Sequence, residues 1–167
     1  MTSFVLGGGC FWCLDSSYMQ FQGITDVEVG YMGGKNPNPT YEQVCEGNTE
    51  HVEVARVIFD ESVIPADVVL DIFFTLHDPR QLNRQGNDIG TQYRSAIFYL
   101  DEVQKSVAEQ VIAKVNASGQ WGMPVVTQLQ AFQAFYPAED KHQKYIMQFP
   151  DGYTCHHRRN FDLGETP

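Results

Sequence analysis

Apolar and polar positions alternate most clearly over residues 51–59. Val52, Val54 and Ile58 fall on one side of an extended chain there, and His51, Glu53, Ala55, Val57 and Phe59 on the other. Residues 25–31 carry Val27 and Val29 in the same rhythm, and residues 3–6, 94–100 and 125–131 are further strand candidates. Helical periods lie between them. Residues 10–21 form a helix that opens on Cys10-Phe11-Trp12-Cys13, directly after Gly7-Gly8-Gly9, and ends at Gly23. Pro65 suits the first turn of a helix striped by Val68, Val69, Ile72, Phe73 and Leu76 and stopped by His77-Asp78-Pro79. Residues 101–118 place Val103, Val107, Val111 and Val115 four apart, with Gly119 as the stop. Residues 41–46 read as a helical turn and residues 139–149 as another helix. Residues 30–40, 80–91 and 150–167 read as loop or coil. This alternation predicts an α+β fold, a two-layer sandwich, without specifying the order of its strands.

Composition narrows the class. The 167 residues suit one domain, with no repeat and no linker that would divide them. Hydrophobic residues make up 43% and charged residues 19%, a globular mix that argues against disorder. Eleven Lys and Arg stand against 21 Asp and Glu, a net charge of -10. That balance argues against nucleic acid and against an anionic membrane as partners. No stretch of about 18 apolar residues is present, and the start of the chain lacks a basic segment before its short apolar run. The expectation is a cytoplasmic protein. Its four cysteines are then buried thiols, metal ligands or redox catalysts rather than a disulfide framework.

Cys10 stands out among them. It follows a strand and three glycines and sits at a helix N-terminus, where unpaired N–H groups and the positive end of the helix dipole favour a thiolate. With Cys13 it forms a C-x-x-C, which three chemistries share. One is a thioredoxin-like dithiol, and another is half of a zinc site completed by Cys155 with His156 or His157. The third is a nucleophile with a neighbouring thiol that resolves its oxidised form. Phe11 and Trp12 either pack in the core or line an apolar pocket beside the sulfur. Glu53 alone reads as part of a solvated strand face.

Several blocks in order resemble one family. Gly9-Cys10-Phe11-Trp12 resembles the active-site motif of peptide methionine sulfoxide reductase A. Gly30-Tyr31-Met32-Gly33-Gly34, Asn38-Pro39-Thr40-Tyr41-Glu42-Gln43-Val44-Cys45, His51-Val52-Glu53, His77-Asp78-Pro79, the run from Arg84 through Asp88 and Tyr93 to Ser95, and Pro137-Ala138-Glu139-Asp140-Lys141-His142-Gln143 resemble its later blocks. The resemblance implies a ferredoxin-like two-layer α/β sandwich with a mixed sheet. It divides the chain into a catalytic domain over residues 1–150 and a coiled tail over residues 151–167.

The resemblance also implies thiol-dependent reduction of methionine S-sulfoxide, free or in proteins, without metal or bound cofactor. Cys10 takes the place of the nucleophile, whose oxidation leaves a sulfenic acid. Glu53 takes the place of the acid, a role that a raised pKa in an aromatic pocket would suit. Tyr41 and Tyr93 take the places of hydrogen-bond donors to the sulfoxide oxygen, and Asp88 that of a site carboxylate. Phe11 and Trp12 would hold the substrate's S-methyl group. Cys155 matches a resolving cysteine near the C-terminus and Cys13 matches a C-x-x-C variant, with thioredoxin as the external reductant of a monomer. Many family members carry two cysteines near the C-terminus, whereas this chain has only Cys155 there, which puts a second disulfide step within the tail out of reach. Cys45 matches a position without a catalytic role and reads as a buried thiol.

Overall fold

The structure, a computed structural model, describes residues 2–34, 37–46, 49–85, 88–119, 121 and 124–143. Its chain order is β1 (Thr2–Gly7), α1 (Phe11–Tyr18), β2 (Ile24–Met32), α2 (Tyr41–Cys45), β3 (Val52–Phe59), α3 (Ala66–Leu76), β4 (Arg84–Gln85), β5 (Asp88–Ile89), β6 (Ala96–Tyr99), α4 (Glu102–Ser118), β7 (Gln128–Ala131) and β8 (Tyr136–Pro137). Short 3-10 turns cover Thr91–Tyr93 and Asp140–His142.

Six strands form one sheet in the order β7-β6-β1-β3-β2-β8. The pairing follows from two interleaved crossovers. β1 and β2 are both antiparallel to β3 and lie on either side of it, so β1-α1-β2 is a split unit with β3 inserted. β3 and β6 flank β1 in the same way, joined through α3. This arrangement is the ferredoxin-like plan expected from the sequence. α4 then carries the chain back so that β7 runs parallel to β6, which makes the sheet mixed. β8 closes the far edge against β2.

Both faces of β3 carry buried clusters, although Arg56 and Ile58 on the face away from the helices are only partly buried. Ala55, Val57 and Phe59 join Phe4, Leu6, Tyr18, Phe73 and Val111 under the helices. Val52 and Val54 join Val5, Met32, Ala96 and Phe98 on the opposite face, with Phe135 packed against them. Glu53 lies on the helical face and is 1% exposed. The reading of that face as solvated is therefore corrected: the helices pack over it.

The helix boundaries follow local signals. Pro65 precedes α3 and His77 ends it in extended conformation. Asp101 caps α4 by accepting from the Gln104 amide, and Gly119 stops it in the left-handed region. The stripe of four valines holds only in part, because Val111 and Val115 are buried while Val103 is 73% exposed. A spacing of four overshoots the 3.6-residue turn by about 40° per step and swings the first valine out of the core.

Residues 139–149 do not start a helix. The described part is a single 3-10 turn that ends with Gln143 extended. The Gln143 side-chain amide accepts from the Val29 N–H at 2.9 Å and donates to the Val29 carbonyl at 2.8 Å, so it acts as a strand partner. This tertiary contact outweighs helix propensity. The irregular residues 80–91 hold the small β4–β5 hairpin. β8, which the sequence pattern misses, is only two residues long. Residues 144–167, Cys155 and the expected tail included, lie outside the described residues.

Gly30 is where β8 meets β2. A Cβ there would run into the Tyr136 carbonyl oxygen and sit 2.8 Å from the Phe135 ring. Gly30→Ala is expected to cost about 1–3 kcal/mol in urea unfolding. It should also speed amide exchange at Ala138, whose N–H donates to the Val29 carbonyl at 2.9 Å. Unchanged exchange at Ala138 would show that β8 tolerates the methyl group.

Candidate active site

Gly9 takes a φ of 91° between β1 and α1, a conformation that glycine adopts without strain. The turn leaves Cys10 as the N-cap of α1, 5% exposed and free of any disulfide. The amides of Trp12 and Cys13 point at its sulfur and lower its pKa, as a helix N-terminus should. They do not prevail. Burial, then the charges of Glu53 and Asp88, hold the Cys10 thiol well above its ordinary range. The expectation that the helix end alone favours the thiolate is corrected: the resting group is a thiol.

Glu53 stands beside it on β3, paired in register with Tyr31 of β2. Its Oε1 accepts from the Phe11 amide at 3.4 Å. Its Oε2 is buried and takes no hydrogen bond among the described residues. Burial pushes the carboxyl up to about 8, and Asp88 adds to the rise. The Phe11 amide and the Tyr93 hydroxyl, which lies toward the carboxyl, pull the other way. Glu53 therefore holds its proton at neutral pH.

Hydroxyls surround this acid. Tyr41 is the first residue of α2, placed by a capping box in which Thr40 accepts from the Gln43 amide at 3.2 Å and the Gln43 side chain accepts from the Thr40 N–H at 3.0 Å. Tyr93 ends the 3-10 turn of Thr91–Tyr93. Burial first, and the Glu53 charge next, raise both pKa values well above the usual tyrosine range. Asp88 begins β5, partly exposed. Phe11, Trp12, Tyr31 and Tyr41 gather into one cluster with Val29, Val44 and Ala138. Phe11 lies 6.4 Å from Trp12 and 5.7 Å from Tyr31 between ring centroids.

Cys10, Phe11, Trp12, Tyr41, Glu53, Asp88 and Tyr93 thus come together from five separate segments. The sequence reading missed Tyr31, which is fully buried and donates to Glu139 Oε1 at 3.4 Å. It left Glu139 without a role. Both lie inside blocks that carry the family resemblance, which is the signal that could have found them. Cys45 corrects another expectation. It is exposed and free, one helical turn beyond Tyr41, and its thiol interacts with the Tyr41 hydroxyl. Cys13 is disulfide-bonded, and Cys155 lies outside the described residues. Among the described residues no cluster of three His, Cys, Asp or Glu side chains is placed to hold a metal, and no helix is long and apolar enough to cross a membrane.

A thiol beside a carboxyl that keeps its proton near pH 7 suits chemistry in which sulfur attacks an electrophile and an oxygen collects that proton. The class this defines is a thiol-dependent oxidoreductase. Similarity to known proteins sharpens it. Residues 2–165 match the sequence model of the family described as peptide methionine sulfoxide reductase, and the chain belongs to that family. It is 52% identical over 155 residues to the peptide methionine sulfoxide reductase MsrA of Nautilia profundicola, covering 93% of this chain and 88% of that one. It is 50% identical to the MsrA of Paenarthrobacter aurescens, covering 92% and 87%. Among solved structures, reduced Mxr1 of Saccharomyces cerevisiae superposes with a TM-score of 0.89 at 34% identity, covering 95% of this chain and 92% of that one. Methionine sulfoxide reductase A of Corynebacterium diphtheriae gives 0.81 at 33% identity, covering 96% and 81%.

The Glu53 proton has a measurable consequence for stability. The native state keeps it up to about pH 8, whereas an unfolded chain releases it near the ordinary carboxyl value. The stability it contributes is complete below about pH 4.5 and is lost as pH rises to about 8. Glu53→Gln should remove that loss. The difference in unfolding free energy between variant and wild type should grow by several kcal/mol across this window, read by urea titration at each pH. A constant difference would mean that Glu53 titrates normally.

Proposed function

We propose that the chain reduces methionine S-sulfoxide, free and in proteins, to methionine through a sulfenic acid on Cys10. The observation that carries this reading is the buried Glu53 carboxyl, with its pKa at about 8 and an Oε2 that takes no hydrogen bond among the described residues, beside a free buried thiol. Cys10 sulfur attacks the sulfoxide sulfur while Glu53 gives its proton to the sulfoxide oxygen. The sulfur–oxygen bond of the substrate breaks and methionine leaves with its sulfur reduced. The oxygen ends on Cys10 as a sulfenic acid, with Cys10 supplying two electrons. Tyr41 and Tyr93, both kept protonated, donate hydrogen bonds to the oxygen as charge collects on it. Phe11 and Trp12 receive the S-methyl group, and Asp88 orders the surroundings of the acid. No metal or bound cofactor takes part.

Recycling divides the remaining cysteines. Cys13 is disulfide-bonded while Cys10 and Cys45 are free, which argues against a Cys10–Cys13 dithiol cycle of the thioredoxin type. The fourth cysteine of the chain is Cys155. In our reading its thiolate attacks the Cys10 sulfenic acid, releasing water and forming a Cys10–Cys155 disulfide. Cys13 then attacks Cys155, returns Cys10 as a thiol and leaves a Cys13–Cys155 disulfide. Thioredoxin reduces that bond in a cytoplasmic, monomeric enzyme. Residues 1–150 form the catalytic domain, and residues 151–167 are the tail that brings Cys155.

With dithiothreitol as reductant, Cys10→Ser should abolish methionine sulfoxide reduction. Glu53→Gln should slow the first turnover by about 10²-fold or more, the usual contribution of a general acid. Activity on neither epimer in the wild-type protein would overturn the reading. In a second assay, Cys155→Ser and Cys13→Ser should each keep a full first turnover and lose thioredoxin-supported cycling. If neither substitution affects cycling, the relay is wrong.

A further inference from the structure

The segment after β8 is pinned to the sheet at both ends. Ala138 donates to the Val29 carbonyl at 2.9 Å, and the Gln143 side chain bonds both backbone groups of Val29 and the Ala138 carbonyl. Between these anchors, Glu139 and His142 face the aromatic cluster. Glu139 Oε1 accepts from the Tyr31 hydroxyl at 3.4 Å, and Oε2 accepts from the Tyr41 amide at 3.4 Å. The same Oε2 lies 3.7 Å from His142 Nε2.

His142 is buried. Its ring lies 4.3 Å from Tyr41, 5.8 Å from Phe11 and 5.7 Å from Trp12 between centroids, and is stacked on the last at 20°. The Trp12 indole N–H donates to His142 Nδ1 at 3.2 Å. An indole N–H can only donate, so Nδ1 must offer a lone pair. The imidazole proton then belongs on Nε2, the side that faces the Glu139 carboxylate. The Trp12 donor fixes this tautomer, and the Glu139 carboxylate, too far from Nε2 for a hydrogen bond, favours it by its charge.

We propose that Glu139 and His142 are positioning residues that hold Trp12 at a fixed angle and thereby set the preference for a methyl group on the substrate sulfur. Neither touches the reacting atoms. The proposal rests on the reading above that Trp12 receives the S-methyl group. A wall held by packing alone would tolerate rotation of the indole and admit a larger alkyl group. A wall tied through Nε1 keeps its depth.

Two variants separate acceptor from packing. His142→Phe keeps a ring but offers Trp12 no acceptor. His142→Asn loses the ring but returns an oxygen near the Nδ1 position. Labelling with 5-fluorotryptophan gives the two tryptophans of the chain, Trp12 and Trp121, as separate fluorine resonances, with Trp12 assigned from Trp12→Phe. His142→Phe should move or broaden the Trp12 resonance and leave that of Trp121 in place. It should raise KM for methionine sulfoxide by about tenfold with the single-turnover rate within about twofold. It should also shrink the preference for methyl over ethyl on sulfur several-fold. His142→Asn should restore most of each property, and Glu139→Gln should fall between wild type and His142→Phe.

An unmoved Trp12 resonance in His142→Phe overturns the proposal whatever the kinetics. So does a His142→Asn protein that behaves like His142→Phe, since packing would then explain both. A moved resonance with KM and alkyl preference unchanged overturns the specificity role and traces the failure to the placement of Trp12 at the substrate. The resonance reports the His142 contact even in protein that turns nothing over.

Discussion

The burial of one carboxyl on the central strand governs the rest of this site. An ionised carboxylate at Glu53 would be costly in that position, and among the described residues Oε2 has no hydrogen bond to offset the cost. The group answers by keeping its proton to about pH 8. That proton then bears on the thiol beside it. Among the causes that hold Cys10 protonated, the Glu53 charge comes second only to burial. A neutral Glu53 removes it and leaves the Trp12 and Cys13 amides to oppose burial and Asp88. The form of Glu53 that can give a proton is also the form that least hinders a thiolate.

The interleaved sheet is what makes this burial possible. Because β3 is inserted between β1 and β2, the end of β1 that delivers Cys10 lies beside Glu53 on one side and Tyr31 lies beside it on the other. Helix α1 then covers the carboxyl, and its first amide bonds Oε1. A hairpin order of the same strands would put β3 outside β2 and away from the end of β1 that delivers Cys10. The loops add the remainder: α2 contributes Tyr41, and the turn after β5 contributes Tyr93.

Much of this could be read from the sequence, and the failures share a cause. Period two located β3, and caps located both long helices, because these signals act over a few residues. Period two could not say which face of β3 the helices cover, so Glu53 looked solvated; helix packing over the sheet, which decides that, is a long-range property. The same limit applies to residues 139–149, where Gln143 bonds a strand 114 residues away, and to β8, held by two residues against β2. Cys45 looked buried because thiols usually are, yet the helix that offers Tyr41 to the site turns Cys45 outward one turn later. Cys10 stood out by its place after three glycines at a helix start, whereas the roles expected of Glu53, Tyr41, Tyr93 and Asp88 came from ordered motifs.

The tyrosines settle which group governs the pH response of the site. Tyr31, Tyr41 and Tyr93 are all raised, chiefly by burial, with the charge of Glu53 among the further causes in each. A hydroxyl displaced upward from the ordinary tyrosine value stays a donor across any range in which the fold survives. Three donors that do not titrate around an acid that does leave the acid as the switch. As Glu53 ionises, its new charge drives the tyrosines further from ionisation and the Cys10 thiol further from the thiolate. Losing that one proton therefore also pushes the Cys10 thiol further up, and the loss near pH 8 follows from burying that carboxyl.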